Sequence, residues 1–320
     1  MWPVAPAGPV PAKAGSRAQF GRNPGLRRDN DAPTNRHAMP LESTALTAGL
    51  GLKFQHADQA CASTAEGLWF EVHPENGMVD GGPRLAWLDA VRARHPLSLH
   101  GVACSLAAAA EPDAGHLDRL AQLVSRLEPA LVSEHLAWST WRGAYRPDLL
   151  PFPRSQLALA RIAANIGQVQ DRLRRSIAIE NPSHYLSLDG HEYGEVEFLD
   201  QLARRSGCTL LLDVNNVYVS ANNMGFDAQA YLDAFPAQRI TEIHLAGHSE
   251  DEALGPALLV DSHDTPIAPA VWSLYERLIA RIGPRPTLIE RDGNVPAFGV
   301  LLAERGRAHD LLAAAELQAA

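Results

Sequence analysis

Short apolar runs alternate along most of this chain with longer segments whose apolar residues recur at helical spacing. Eight of the short runs read as strands: residues 49–54, 68–73, 97–102, 131–136, 176–181, 209–216, 240–247 and 287–292. Between them, residues 84–94, 116–127, 156–173, 196–206 and 271–282 carry helical periodicity. Gly207 and the Gly283-Pro284 pair stand where two of these helices should stop. Eight strand–helix alternations without a strong internal break predict a single α/β domain, a (β/α)8 barrel over residues 46–320. A doubly wound open sheet is the alternative, but no Gly-rich dinucleotide fingerprint follows the first strand. The pattern fails only at the beginning. Residues 1–45 are rich in Pro, Gly and Arg, lack apolar periodicity, and are expected to form a disordered extension. Prolines at 3, 6, 9 and 11 interrupt any signal-peptide core, and Met39 offers an alternative start.

Composition narrows the picture modestly. A hydrophobic content of 46% supports a large core, and a formal net charge of −9 argues against a nucleic-acid surface. Cys61, Cys104 and Cys208 are widely spaced and form no CxxC, so neither a disulfide framework nor a zinc ribbon is expected. They read as core residues of a cytoplasmic protein. No apolar run approaches the roughly 18 residues that span a bilayer, so no membrane association is expected.

Chemistry gathers at the strand ends. The first strand leads to His56, the second ends in Glu71 and His73, and the third in His100. The fourth gives Glu134 and His135, the fifth Glu180 and Asn181, and the sixth Asp213, Asn215 and Asn216. His244 lies on the seventh, Glu290 and Asp292 on the eighth. After the seventh, the run Leu258-Leu259-Val260 delivers Asp261 and His263, which share a side if that backbone is extended. In a barrel all these ends converge on one face, where active sites of the fold sit. His100 and His244 interrupt runs that should be buried, and a buried imidazole needs a metal or a hydrogen-bond partner. Glu180 and Asp213 follow aliphatic residues, where a lone charge is penalised. The donors exceed one coordination sphere and include no thiolate, which suits two or three ions of iron, manganese or zinc. Residues 71–76 read as support that orients the imidazoles, with direct ligation as the alternative. His184, His191 and His248 fall in loops near the same rim, with His248 placed to touch substrate. His95, His116 and His309 sit at helix ends and read as surface residues.

The blocks SLHGV, LVSEHLAWS, IENPS, LLLDVNNVYVSA, EIHLAGH, DSHDTP and LIERDGNVP, in this order, resemble the multinuclear non-haem iron oxidases of the methanobactin-biosynthesis type (MbnB/TglH/ChrH-like). The resemblance runs from about Gly49 to Ala313, and is strongest to the subgroup linked to bufferin-type precursor peptides. It implies a xylose-isomerase-like TIM barrel holding two or three irons, with O2 as co-substrate. The implied substrate is a cysteine-containing, ribosomally made precursor peptide, presented by a small recognition protein in a heterodimer. The implied metal set is His56, His100, Glu134, Glu180, Asp213, His244, Asp261, His263 and Glu290, with Asn181 and Asn216 as further members. Asp213, His263 and His248 are the expected catalytic residues. Gly77 stands where the family usually carries an aromatic, and Asn216 where the more distantly similar xylose-isomerase-like ligand order has a histidine. A zinc- or manganese-dependent hydrolase or sugar isomerase on the same barrel is the alternative expectation.

Overall fold

Alternation within each strand determines what the barrel holds. Leu97 and Leu99, Leu210 and Leu212, and Ile243 and Leu245 join the helix faces in one buried apolar cluster. The intervening residues, Ser98 and His100, Leu211 and Asp213, Glu242 and His244, must then face the other way, into the barrel. In the computed structural model, which describes residues 46–141 and 144–319, the barrel strands are β1 (Ala48–Gly51), β2 (Phe70–Val72), β3 (Leu97–Gly101) and β4 (Leu131–His135). After a hairpin of β5 (Trp138–Trp141) and β6 (Ala144–Leu150) come β7 (Ala178–Glu180), β8 (Thr209–Asp213) and β9 (Ile240–Ala246). A second hairpin, β10 (Ser249–Asp251) with β11 (Gly255–Val260), precedes the last barrel strand, β12 (Thr287–Glu290). The eight barrel strands run parallel in chain order, and β12 closes the ring on β1 with Leu50 opposite Ile289. The predicted barrel is therefore present, whereas the extension expected over residues 1–45 lies outside the described residues.

The helices are α1 (Ala57–Ala62), α2 (Pro83–Arg92), α3 (Ala114–Leu127), α4 (Gln156–Leu173), α5 (Glu195–Ser206), α6 (Val214–Met224), α7 (Ala228–Ala234), α8 (Pro269–Ile282) and α9 (Phe298–Ala319). On α4 the buried residues Leu159, Ile162, Ile166, Val169 and Leu173 fall three and four apart, one stripe against the barrel. Ser155 caps it by accepting from the Ala158 N–H at 3.2 Å. Gly207 and Gly283 follow α5 and α8 at positive φ, as their positions in the sequence predict. Two predicted strands give way to helical turns: β1 stops at Gly51 and Phe54 opens a 3-10 turn, and the strand expected over residues 209–216 stops at Asp213. Residues 214–216 belong to α6, because Asp213 leaves β8 and accepts from the Asn216 N–H at 2.6 Å as the helix N-cap.

Three histidines read as surface residues are packed instead. The His95 ring lies 5.2 Å from Phe70 and its Nε2 meets the Ala60 carbonyl at 3.0 Å. His116 is buried in the first turn of α3, and His309 is half-buried with Nδ1 2.8 Å from the Thr47 hydroxyl. His95 follows α2 and His116 opens α3, whereas His309 lies in the middle of α9 and not at a helix end as expected. Cys104 and Cys208 are buried as expected, while Cys61 is half-buried.

Trp69 is fully buried beside β1, and its indole N–H donates to the Thr47 carbonyl at 3.3 Å. A Cβ at Gly49 would lie 2.5 Å from that indole, so only a bare backbone lets the ring lie flat against the strand. Gly49→Ala should lower stability by about 1–3 kcal/mol through overpacking, read as a lower urea midpoint with unchanged slope.

Candidate metal centre

The inward parity of the strands brings carboxylates and imidazoles together in tiers. In the lower tier the Ser98 hydroxyl donates to Glu71 at 2.9 Å and to Glu242 at 3.4 Å, joining β2, β3 and β9. Above it His100 and His135 converge on Glu180, with each Nε2 at 3.1 and 3.3 Å from Oε2. Their Nδ1 atoms are held from behind, His100 by the Ser133 hydroxyl and His135 by the Gly101 carbonyl, both at 2.8 Å. That leaves both Nε2 atoms aimed inward. His244, fully buried, has Nε2 3.5 Å from Glu71 and 3.7 Å from Glu242, and Nδ1 3.4 Å from Glu290.

The outer tier comes from the segment after β11. Asp261 and His263 meet directly, Oδ1 to Nε2 at 2.7 Å, while His263 Nδ1 lies 3.5 Å from Glu290 and 3.4 Å from Asp292. His263 adopts φ 50°, an uncommon left-handed conformation for a side chain of its size. Backbone bonds on both sides hold it there: its N–H donates to the Gly247 carbonyl, and its carbonyl accepts from the Asp292 N–H. At Gly247 a Cβ would come within 2.0 Å of the Thr265 carbonyl oxygen, so this chain crossing requires glycine. Asn223 of α6 fastens the second hairpin by exchanging two hydrogen bonds with Leu259. Behind the carboxylate, Asn215 donates to Asp261 at 2.8 Å and meets His248 Nδ1 at 2.8 Å.

Among the described residues, four triads bring one donor atom each within 4.8 Å of one another. They are His100, Glu180 and His244; Glu71, Glu242 and His244; His73, Glu290 and Asp292; and Asp213, His263 and Glu290. Their buried atoms are poorly satisfied by the protein alone. Glu180 Oε2, Asp213 Oδ2, Glu242 Oε2, Asn216 Oδ1 and both ring nitrogens of His244 lack hydrogen-bond partners. Contacts of 3.1–3.7 Å without hydrogen-bond alignment are what cation-directed donors look like. The electrostatics agree. Burial pushes the Glu71 carboxyl up to about 7 and Glu180 up to about 8. Burial, then Glu180 and Asp261, hold Asp213 well above the usual range, and burial drives His100 well below it. Burial also disfavours charged His244, but Glu71, Glu242 and Glu290 outweigh it and raise its pKa well above normal. Bound cations reverse this logic by favouring ionised carboxylates and neutral imidazoles. The donor set therefore fits metal.

Several expected ligands go elsewhere. His56 is buried on a short 3-10 turn, its ring 5.7 Å from Phe298, and joins none of the triads. Glu134 lies level with Ile179 on the helix-facing side of β4; burial raises its pKa well above normal, and it hydrogen-bonds Cys104. Asn181 is occupied by backbone, accepting from the Asp213 N–H at 2.8 Å and donating to its carbonyl at 3.1 Å. Asn216 donates to Glu180 at 3.2 Å and to the Asn181 carbonyl at 3.0 Å, leaving Oδ1 beside the tier. His248 stands one residue further out, its ring 5.0 Å from Tyr218.

His135, Glu71, Glu242, His73 and Asp292 are the donors absent from the expected ligand set. For His135 the signal existed: Val132 and Leu136 mark one face of β4 as apolar, which places Glu134 with them and His135 opposite. Glu71 and His73, read as supports, face the interior, and Glu75 two residues on does the supporting by accepting from the Val102 and Ala103 N–H groups.

Comparison with known proteins converges on one family. The description "RiPP precursor modification enzyme MbnB/TglH/ChrH" matches residues 47–313. The chain is 62% identical over 270 residues to a UPF0276 protein of Caulobacter vibrioides, covering 84% of this chain and 96% of that one. It is 64% identical over 266 residues to a UPF0276 protein of Caulobacter sp. strain K31, covering 83% and 96%. Among solved structures it is similar to a D-psicose 3-epimerase from Clostridium cellulolyticum H10, at TM-score 0.53 and 10% identity over 84% of this chain and 99% of that one. A xylose isomerase domain protein from Planctomyces limnophilus gives TM-score 0.50 at 10% identity, covering 85% and 96%. At such identity these two share the fold, a xylose-isomerase-like barrel. The matched length and the close relatives place this chain in the MbnB/TglH/ChrH family of enzymes that modify the precursors of ribosomally made peptides.

Proposed function

We propose that this enzyme is an iron- and O2-dependent oxidase that modifies cysteine residues of a ribosomally made precursor peptide, with a small recognition protein presenting the peptide. The observation that carries the reading is the set of buried, unpartnered imidazole and carboxylate atoms at the mouth of the barrel, in a member of a precursor-modifying family. Nitrogen and oxygen donors without thiolate suit iron. Bound there, two or three irons supply the redox chemistry between O2 and the peptide thiol.

The chain's own residues do the rest. His100, His135, Glu180 and His244 form one ligand group, and Asp213, His263 and Glu290 a second, with Glu290 shared towards His73 and Asp292. Asp261 orients His263 and is itself held by Asn215, whose amide continues to His248 at the rim. A cavity of roughly 570 Å³ opens from this centre between His135, Tyr185, Leu186 and Phe152, wide enough for a peptide segment. A flexible precursor carries an ordering cost on binding. A docking protein offsets it by raising the local peptide concentration.

The solved neighbours named as epimerases share the barrel at too low an identity to bring their activity here. A zinc or manganese enzyme remains the competing reading on the same donor set. Elemental analysis of anaerobically purified protein should give about two to three irons per chain. Zinc alone, with turnover undiminished under strict anaerobiosis, contradicts the oxidase.

The geometry also separates neighbours in the sequence. His135→Ala should lose iron and lower turnover by about 100-fold or more, while Glu134→Gln, on the opposite face of β4, should keep full iron content. Equal iron content in both variants contradicts the ligand assignment. For the partner, mass spectrometry of the precursor after incubation with enzyme, iron and O2 should show oxidation that increases strongly when the neighbouring recognition protein is added. Full-rate modification without it contradicts the heterodimer.

A further inference from the structure

The candidate metal centre opens in two directions. One is the mouth past Tyr185 and Leu186; the other is a separate lobe of roughly 610 Å³ on the side of β1 and α2. The two cavities share His73, Glu290 and Asp292, so they meet at the metal donors. The lobe's character differs from that of the centre. Its walls are Leu52, Val72 and Leu88, with Phe54 and Trp87 packed edge to face at a centroid separation of 5.4 Å. Phe54 is 64% exposed, so much of its ring surface is open to solvent. At its edge stand Arg84 and the ion pair in which Lys53 donates to Asp292 at 2.5 Å.

An aromatic and aliphatic lining beside the metal donors suits an apolar side chain, whose surface it can take out of water. In an extended peptide, successive side chains leave on opposite sides about 3.3 Å apart. A residue held at the metal donors thus sends its neighbour into a lobe beside them, while the chain continues along the mouth. We propose that the Phe54–Trp87 lobe is a specificity subsite for a bulky apolar or aromatic residue adjacent to the modified cysteine. This rests on the peptide-oxidase reading and adds which sequence around the cysteine is selected. Phe54 and Trp87 contact the neighbour side chain; neither is a metal donor.

The test uses three synthetic peptides, acetyl-Phe-Cys-Gly-amide, acetyl-Gly-Cys-Phe-amide and acetyl-Gly-Cys-Gly-amide, with iron-loaded protein kept anaerobic. Titration calorimetry then reads binding independently of turnover. One Phe peptide should bind about tenfold more tightly than the all-glycine one, as burial of most of a phenyl ring predicts. In Trp87→Ala that preference should fall to about twofold or less, with affinity for the glycine peptide unchanged. Phe54→Ala, at an exposed ring whose loss leaves the core intact, should reduce the preference in the same direction. Equal binding of all three peptides, or a preference that survives both substitutions, overturns the subsite. A preference that is present and lost in both variants supports it even if oxygen then produces no oxidation, an outcome that counts against the oxidase alone.

Discussion

Ionisable groups taken out of water must be compensated, and this barrel takes many of them out at once. Glu71, Glu180, Asp213, Glu242, His244 and Glu290 are all buried, and each brings a donor atom within 4.8 Å of at least two other donors. An ordinary parallel barrel fills that space with Val, Ile and Leu. Here much of the inner space near the strand ends is given to polar donors, while Leu99, Ile179, Leu212 and Ile289 carry the apolar packing against the helices on the outer face. The two faces depend on each other. A rigid, well-packed wall holds the inner donors at fixed separations, and the compensation of those donors lets the interior remain polar.

That constraint explains the less regular parts of the chain. The hairpin of β10 and β11 and the left-handed His263 occupy the connection between β9 and α8, where a simple barrel needs only a few residues. They bring Asp261 and His263 over the open end, to donors that strands alone reach only from the sides. Asn223, Tyr185 and Gly247 fix this arm from three directions. Asn216 keeps one amide oxygen beside Glu180 and uses its nitrogen to tie two strand ends together.

Much of this was legible from period and position. The eight strands and the principal helices followed from apolar spacing, and the convergence of acidic and histidine residues on one barrel face followed from the strand ends. Parity was where reading by position failed. Glu134 and His135 are adjacent, both polar and both at a strand end, and only the apolar partners Val132 and Leu136 distinguish them. His56 lay one short turn beyond its strand, enough to carry it away from the interior onto Phe298. Asn181 and Asn216 carry donor chemistry, but most of it serves backbone and carboxylate partners contributed by distant strands, which no local pattern displays. The long connection between β9 and α8 was readable for its residues, Asp261 and His263, and not for the left-handed turn that aims them.

The central claim is that inward-facing donors of two tiers hold a multinuclear iron centre. Anomalous diffraction at the iron edge, from crystals of anaerobically iron-loaded protein, locates each ion directly. Separate peaks are expected, one between His100, Glu180 and His244 and another between Asp213, His263 and Glu290. A single peak, or iron bound outside the barrel mouth with these donors untouched, would contradict it.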